Sequence, residues 1–276
     1  MSNLETLNKY GFKFNKAYGQ NFIFDTNFLK SFVEGNIDKS TDVLEIGPGA
    51  GTLTAILCEY GKRVVSYEID KNLEPILKDN LSPYPNSQII FGDIMKFNMD
   101  EIEANFDGQY TLVANLPYYI TTPIIFKFLE NAKKMKSMII MVQLEVAERL
   151  TAEAGSKDYG AITPAIDYRA NAKIIKRVSR KMFTPMPNVD SAIVKIDFVE
   201  NKYDIADTKT LDEVIKSAFA MRRKTLENNL KTTFKLSSDT VQEIFSKLNF
   251  PPQVRGEKLT TLDFVNLSNE IKKHVK

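Results

Sequence analysis

Val43-Leu44-Glu45-Ile46-Gly47-Pro48-Gly49-Ala50-Gly51-Thr52 is a short apolar run that ends in three alternating glycines, and a helical pattern over 52–60 follows it. A strand that passes through a glycine turn into a helix is the first unit of a parallel sheet with helical crossovers. The chain beyond keeps the alternation. Residues 63–68 read as a second strand, 73–78 as a short helix, 88–91 as a third strand and 110–114 as a fourth. Then come a helix over 123–131, a fifth strand over 137–142 and a helix over 144–151. The pattern predicts an α/β fold: a parallel sheet covered on both faces by helices.

Residues 191–198 form a late strand, and 200–207 are polar with no apolar periodicity. Only helical patterns follow, over 211–221, 224–231, 240–248 and 262–272. The expected organisation is therefore an α/β domain over 1–200 and a small all-α domain over 201–276, with no internal repeats. At the other end, 1–24 is a polar arm with cations at Lys9, Lys13 and Lys16, and the aromatics from Phe12 to Phe24 predict that its later part docks. Asp25 is placed to cap a helix that carries Phe28, Leu29, Phe32 and Val33.

Composition excludes several chemistries. The one cysteine, Cys58, forbids an internal disulfide and any cysteine-cluster metal site. The one histidine, His274, is three residues from the end, which leaves no imidazole for a Ser-His-Asp or Cys-His hydrolase or a histidine metal centre. No apolar run approaches the roughly 18 residues of a membrane span, and 1–8 has no secretion-signal core. A cytoplasmic protein with no bound metal is expected. A net charge of +2 is too small to indicate a polyanionic partner, so the distribution of charge matters more.

In an open parallel sheet, ligands bind at the carboxyl ends of the strands. Gly47, Glu68, Asp93 and Asn115 all fall at such ends and converge on one crevice. Gly47, Gly49 and Gly51 let the backbone approach a ligand, although their spacing is not that of a dinucleotide site. Glu68, about 20 residues beyond the loop, is placed to accept both hydroxyls of a ribose; a solvated strand end is the plainer reading. Asp93 can accept the amine of an adenine or simply close an Asx turn. Asn115-Leu116-Pro117-Tyr118-Tyr119 offers an amide acceptor, a proline-fixed turn and a flat aromatic face, which suit a second planar amine or an ordinary strand end.

A ribose, an adenine and a second amine-bearing ring together fit S-adenosylmethionine and a nucleobase acceptor. The exocyclic amine would attack the sulfonium methyl group. Asn115 Oδ1 and the Leu116 carbonyl would draw on its N–H bonds as positive charge develops on nitrogen. No strong base is required. An extruded base needs aromatic walls: Tyr118 is one candidate, and Phe183, in Phe183-Thr184-Pro185-Met186-Pro187-Asn188-Val189-Asp190-Ser191, is the other unless it is a core residue. Arg169, Lys173, Lys176, Arg177, Arg180 and Lys181 lie just upstream with no acid among them, and Arg222-Arg223-Lys224 follows later. Both clusters suit phosphate contacts, although charge runs are more often solvated faces.

At these residues the chain is similar to the KsgA/RsmA family of ribosomal RNA adenine dimethyltransferases. The likeness runs through Gly19-Gln20-Asn21-Phe22, the stretch 45–54, Tyr67-Glu68-Ile69-Asp70, Gly92-Asp93, 115–119, 143–150, 183–191 and Arg222-Arg223-Lys224. The resemblance implies a Rossmann-like class I methyltransferase sheet and S-adenosylmethionine as cofactor. It implies dimethylation of two adjacent adenosines in a hairpin near the 3′ end of 16S ribosomal RNA, during small-subunit assembly, by a monomer. It implies cofactor contacts at Asn21, Ile23, Gly47, Glu68, Asp93 and Asn115, and target-base contacts at Asn115, Leu116, Tyr118 and Phe183. Ile23 stands where the family more often has leucine. The Erm branch, which modifies large-subunit RNA, shares these motifs, but Leu116, Tyr119 and the stretch 222–226 look more like the ribosome-biogenesis branch. A third reading is an assembly checkpoint in which docking outweighs methylation, and an Asn115→Ala variant separates it from an enzyme.

Overall fold

The computed structural model describes residues 3–221 and 224–275. In chain order the elements are α1 (Asn3–Lys9), β1 (Phe22–Ile23), α2 (Thr26–Val33), β2 (Asp42–Ile46), α3 (Thr52–Tyr60), β3 (Arg63–Glu68) and α4 (Glu74–Leu81). Then follow β4 (Ser87–Phe91), α5 (Met99–Glu103), β5 (Tyr110–Asn115), α6 (Thr121–Asn131), β6 (Met135–Gln143) and α7 (Leu144–Leu150). The last third holds α8 (Ile162–Asp167), β7 (Ala170–Val178), β8 (Phe183–Thr184), β9 (Ser191–Phe198), α9 (Thr208–Ala220), α10 (Leu226–Phe234), α11 (Ser238–Lys247) and α12 (Thr261–Lys272).

Seven strands form one sheet in the order β4-β3-β2-β5-β6-β9-β7. β4, β3, β2, β5 and β6 pair in parallel, and β9 is antiparallel to β6. All five residues of β2 are buried, as befits a central strand covered on both faces. Chain order reverses between β2 and β5: β3 lies on one side of β2 and β5 on the other. This is the switch point at which a crevice opens beyond the strand ends. The predicted helix over 52–60 and strands over 63–68 and 191–198 coincide with α3, β3 and β9.

Several elements run against the sequence reading. The arm begins with a helix, α1, whose Leu7 is 3% exposed and packs with Ile76, Leu77 and Leu81 of α4. The basic stretch is partly a strand, β7, in which cations alternate irregularly with half-buried isoleucines and so hide its period. β1 and β8 pair antiparallel as a two-residue clasp between segments about 160 residues apart, with Ile23 opposite Phe183.

The chain forms two compact units. The first holds Met1–Ala147 and Lys173–Phe198, the second Glu148–Ala172 and Val199–Lys276. The helical unit thus begins two residues before the expected boundary and also takes in 148–172. That inserted segment belongs there because Tyr159 and Tyr168 are buried in the same cluster as Leu211, Val214, Phe264 and Ile271. Each of its longer helices starts at a side-chain cap: Asp207, Thr225, Ser237 and Thr260 accept from the backbone N–H three residues on. Such a cap contributes about 1 kcal/mol. Among the described residues no helix is long and apolar enough to cross a membrane.

Candidate active site

The first unit carries a cleft beyond the carboxyl ends of β2, β3, β4 and β5. Gly47, Glu68, Asp93 and Asn115 all line it, as do Asn21 and Leu116 to Tyr119. Gly49 sits in the left-handed region at φ 57°, and a Cβ there would lie 2.8 Å from the Phe22 ring. Conformation and space therefore both demand glycine. Its N–H donates to Glu68 Oε2 at 3.1 Å, and the Asp70 N–H donates to Oε1 at 2.8 Å. Glu68 is 4% exposed. Burial pushes its carboxyl up to about 7, against the downward pull of those N–H groups. A carboxylate oxygen accepts more than one hydrogen bond.

Glu45, one strand away, has a different task. It is buried, its Oε2 accepts from Thr54 Oγ1 and Ser66 Oγ, both at 2.7 Å, and burial raises it to about 7. It does not line the cleft and ties α3 and β3 to β2. At Asp93 the Asx-turn reading holds, since Oδ1 accepts from the Met95 N–H at 3.0 Å, and the residue also borders the cleft. Ile69 and Ile94 border it too and supply apolar surface beside the two acids.

At the other end, Asn115 Nδ2 donates to the Asn21 carbonyl at 2.8 Å. A carbonyl only accepts, so this contact decides which way round the amide sits. Oδ1 is thereby the end not engaged with the arm. Asn21 is held in turn by its neighbour: Gln20 Nε2 donates to Asp70 Oδ2 at 2.8 Å, and Gln20 Oε1 accepts from the Asn15 N–H at 2.6 Å. The Leu116 N–H donates to the Met141 carbonyl at 3.1 Å and fixes the next peptide. The Tyr118 hydroxyl lies 2.8 Å from Ser191 Oγ, and burial raises its phenol above the usual range. Tyr119 is 58% exposed at the rim.

A model of the ribosomal RNA adenine dimethylase family matches residues 11–273. The chain belongs to that family. A ribosomal RNA small subunit methyltransferase A of Clostridium botulinum is 44% identical over 271 residues, 98% of each chain, and one of Clostridioides difficile is 41% identical over 97% of this chain and 94% of its own. Among solved structures, a dimethyladenosine transferase from Plasmodium falciparum superposes with a TM-score of 0.74 at 25% identity over 91% of this chain and 98% of that one. The 23S rRNA methyltransferase ErmE reaches 0.71 at 23% over 91% and 100%. The seven-stranded sheet, with β9 antiparallel to β6, is the class I methyltransferase fold that the motifs led one to expect.

Within this dimethylase fold some expected residues stand elsewhere. Phe183 is not on the cleft: it is 3% exposed, and its ring lies in the core cluster with Ile23, Val113 and Met141. The cause is the β1–β8 clasp, which turns Phe183 inward and Thr184 outward. Ile23 lines a smaller cavity behind the glycine loop, which shares Phe22, Gly47 and Asn115 with the cleft. Arg169 is not free for phosphate. Its guanidinium grips Asp212 through two hydrogen bonds of 3.0 and 2.7 Å, and it stacks 4.0 Å from the Tyr168 ring centroid. Lys176 leans on Ser31 and the Phe28 ring, and Arg180 donates to the Asn188 carbonyl. Lys173, Arg177, Lys181 and Lys224 are exposed; Arg222 and Arg223 lie outside the described residues. Gln20, Asp70 and Ser191 stood in quoted motifs without a role, because partners 50 or 73 residues away leave no local signal. Among the described residues no group of three or more His, Cys, Asp or Glu is placed to hold a metal.

Proposed function

We propose that this chain transfers methyl groups from S-adenosylmethionine to the exocyclic N6 of two adjacent adenosines near the 3′ end of 16S ribosomal RNA, giving N6,N6-dimethyladenosine as the small subunit assembles. The observation that carries the reading is the amide orientation of Asn115, an acceptor aimed by the Asn21 carbonyl within the cleft that also holds Glu68 and Asp93. The small-subunit names of the full-length relatives favour this substrate over the large-subunit RNA of the Erm branch.

The acceptors present fit an adenosyl group. Glu68 has lone pairs left for two ribose hydroxyls, Asp93 has a second oxygen for an adenine amine, and Ile69 and Ile94 offer apolar surface to the ring. Gly47, Gly49 and Gly51, with Asn21 and Ile23, complete the binding set. When bound, S-adenosylmethionine supplies a methyl group made electrophilic by its sulfonium. Asn115 Oδ1 and the Leu116 carbonyl accept the N–H bonds of the target amine and stabilise its growing positive charge. Tyr118 gives the extruded base a face to stack on, and its hydroxyl is held at Ser191 so that the ring is preorganised. Phe183 acts from the core, by holding β8 to β1.

The first unit, Met1–Ala147 with Lys173–Phe198, does the chemistry, and the second, Glu148–Ala172 with Val199–Lys276, docks on the subunit. Lys173, Lys176, Arg177, Arg180, Lys181 and Arg222-Arg223-Lys224 meet phosphates along the way. The protein works as a cytoplasmic monomer. Purified small and large subunits lacking these methyl groups, incubated with the protein and labelled S-adenosylmethionine, test the reading. Label is expected in 16S RNA as dimethyladenosine, and label confined to large-subunit RNA would overturn it.

A further inference from the structure

Beyond the carboxyl end of β4, the loop that follows the strand is folded back on itself. The Lys96 N–H donates to the Asp93 carbonyl at 2.9 Å, beside the Asx turn already described. A Cβ on Gly92 would lie 2.7 Å from the Phe97 ring, and that ring packs edge-on against Tyr67, the neighbour of Glu68, at 5.0 Å between centroids. The fold-back brings the carbonyls of Met95 and Phe97 to one point. Lys127 Nζ occupies it, donating to Met95 O at 3.1 Å and to Phe97 O. Lys127 is half-buried, and burial lowers its pKa while Asp93 and Glu101 pull the other way. The charge thus sits in partial shelter, facing two carbonyl dipoles and the field of two acids.

Lys127 belongs to α6, which starts directly after the acceptor motif. The turn between them is tied down by Ile120 N–H and Thr121 Oγ1, which both donate to the Pro117 carbonyl. One rigid helix therefore carries the end of the acceptor motif at its start and the anchor of the Asp93 loop two turns later.

We propose that Lys127 is a positioning residue for the adenine end of the cofactor: it holds the loop so that the second oxygen of Asp93 faces the adenine amine. This rests on the reading of the cleft as an S-adenosylmethionine site. The ammonium provides up to three donors, and a chain without them leaves two partly sheltered carbonyls unpaired and the loop free to unfold from Asp93 outward. The effect should fall on cofactor recognition and spare methyl transfer, because Asn115 and Tyr118 are held by other contacts.

The experiment measures equilibrium binding of S-adenosylhomocysteine and of S-inosylhomocysteine, which carries an oxygen in place of the amine, to the full-length protein and to Lys127→Met, Lys127→Gln and Lys127→Arg. Methyl transfer at saturating S-adenosylmethionine is followed in parallel. Lys127→Met and Lys127→Gln are expected to weaken S-adenosylhomocysteine about tenfold, the size of one charge-assisted hydrogen bond. They should lower the preference for the adenosyl over the inosyl ligand and leave kcat within about twofold. Lys127→Arg should restore both affinity and preference. An equal loss for both ligands, or an unchanged preference, would overturn the proposal. Asp93→Asn distinguishes the two levels. If it removes the preference and the lysine variants do not, Lys127 has no positioning role; if it also leaves the preference untouched, the assignment of the adenine site itself fails.

Discussion

At the end of the cleft proposed to hold the cofactor, Glu68 is gripped by two main-chain N–H groups, from Gly49 and Asp70, that lie within 19 residues of it. At the proposed acceptor end, Asn115 is aimed by the carbonyl of Asn21, 94 residues away, and Tyr118 is held by Ser191, 73 residues away. One end is a local product of strand, turn and strand; the other exists only once the arm has closed on the sheet and β9 has paired into it. The cofactor end can therefore be damaged by altering a single side chain without disturbing its frame, whereas the acceptor end depends on segments that contribute no chemistry themselves.

The largest effect is expected at the acceptor end. Asn115→Ala should lower single-turnover methyl transfer by about 10²- to 10³-fold, as loss of one preorganised polar contact does. Binding of S-adenosylmethionine, measured separately, should move far less; an equal loss in both would merge the two ends into one site.

Next in size, Glu68→Gln should weaken cofactor binding by about tenfold or more while leaving the acceptor end intact. Glu45 is the control, since it is equally buried but faces the core. Both carboxyls are raised by burial from about 4.5 to about 7. The folded state holds these protons more tightly than the unfolded chain, so their contribution is fully present below about pH 4.5 and is lost as pH rises through about 7. The ligand-free protein should melt at lower temperature at pH 8 than at pH 5.5 on their account. Glu68→Gln and Glu45→Gln should each reduce that slope, with Glu68→Gln alone reducing cofactor affinity. Melting curves against pH for the three proteins would show it.

A smaller change is expected for Tyr118→Phe, which keeps the stacking face and removes only the contact to Ser191. Methyl transfer should drop by less than about tenfold, and Ser191→Ala should match it; a much larger loss for Tyr118→Phe would give the hydroxyl a direct part in the reaction. The smallest effect divides the basic stretch. Lys173→Ala with Lys181→Ala should reduce the salt dependence of RNA binding by about one unit of slope per lost phosphate contact. Arg169→Ala should leave that slope unchanged and lower the melting temperature, because its charge is already committed to Asp212.

The same contrast explains what could be read from the chain. The glycine loop, α3, Glu68 and Asp93 were legible because strand period, turn chemistry and helix start lie within a few residues of one another. The helices from α9 to α12 were legible to within a few residues through their apolar spacing, as in Phe264, Leu267 and Ile271. The assignment of 148–172 to that unit was not, since it depends on where Tyr159 and Tyr168 are buried rather than on their spacing. The choice between wall and core for Phe183 stayed open for the same reason: a proline-rich loop carries no mark of a two-residue pairing with Ile23. The commitment of Arg169 to Asp212 depends on a partner 43 residues away that no pattern announces.

On the proposed reading, in which Asn115 meets the target amine, its hydrogen bond to the Asn21 carbonyl also bears on when the enzyme stops. With its amide nitrogen occupied, Asn115 offers the substrate only an acceptor, and an acceptor senses how many protons the target nitrogen still carries. Adenosine brings two N–H bonds, the monomethylated base one and the dimethylated base none. Each transfer therefore removes part of the grip that held the substrate, and after the second there is nothing left for Oδ1 to bind. A 6-oxo purine is refused by the same logic, since two acceptors repel. The site counts to two by exhaustion, and the finished base leaves because it can no longer be recognised.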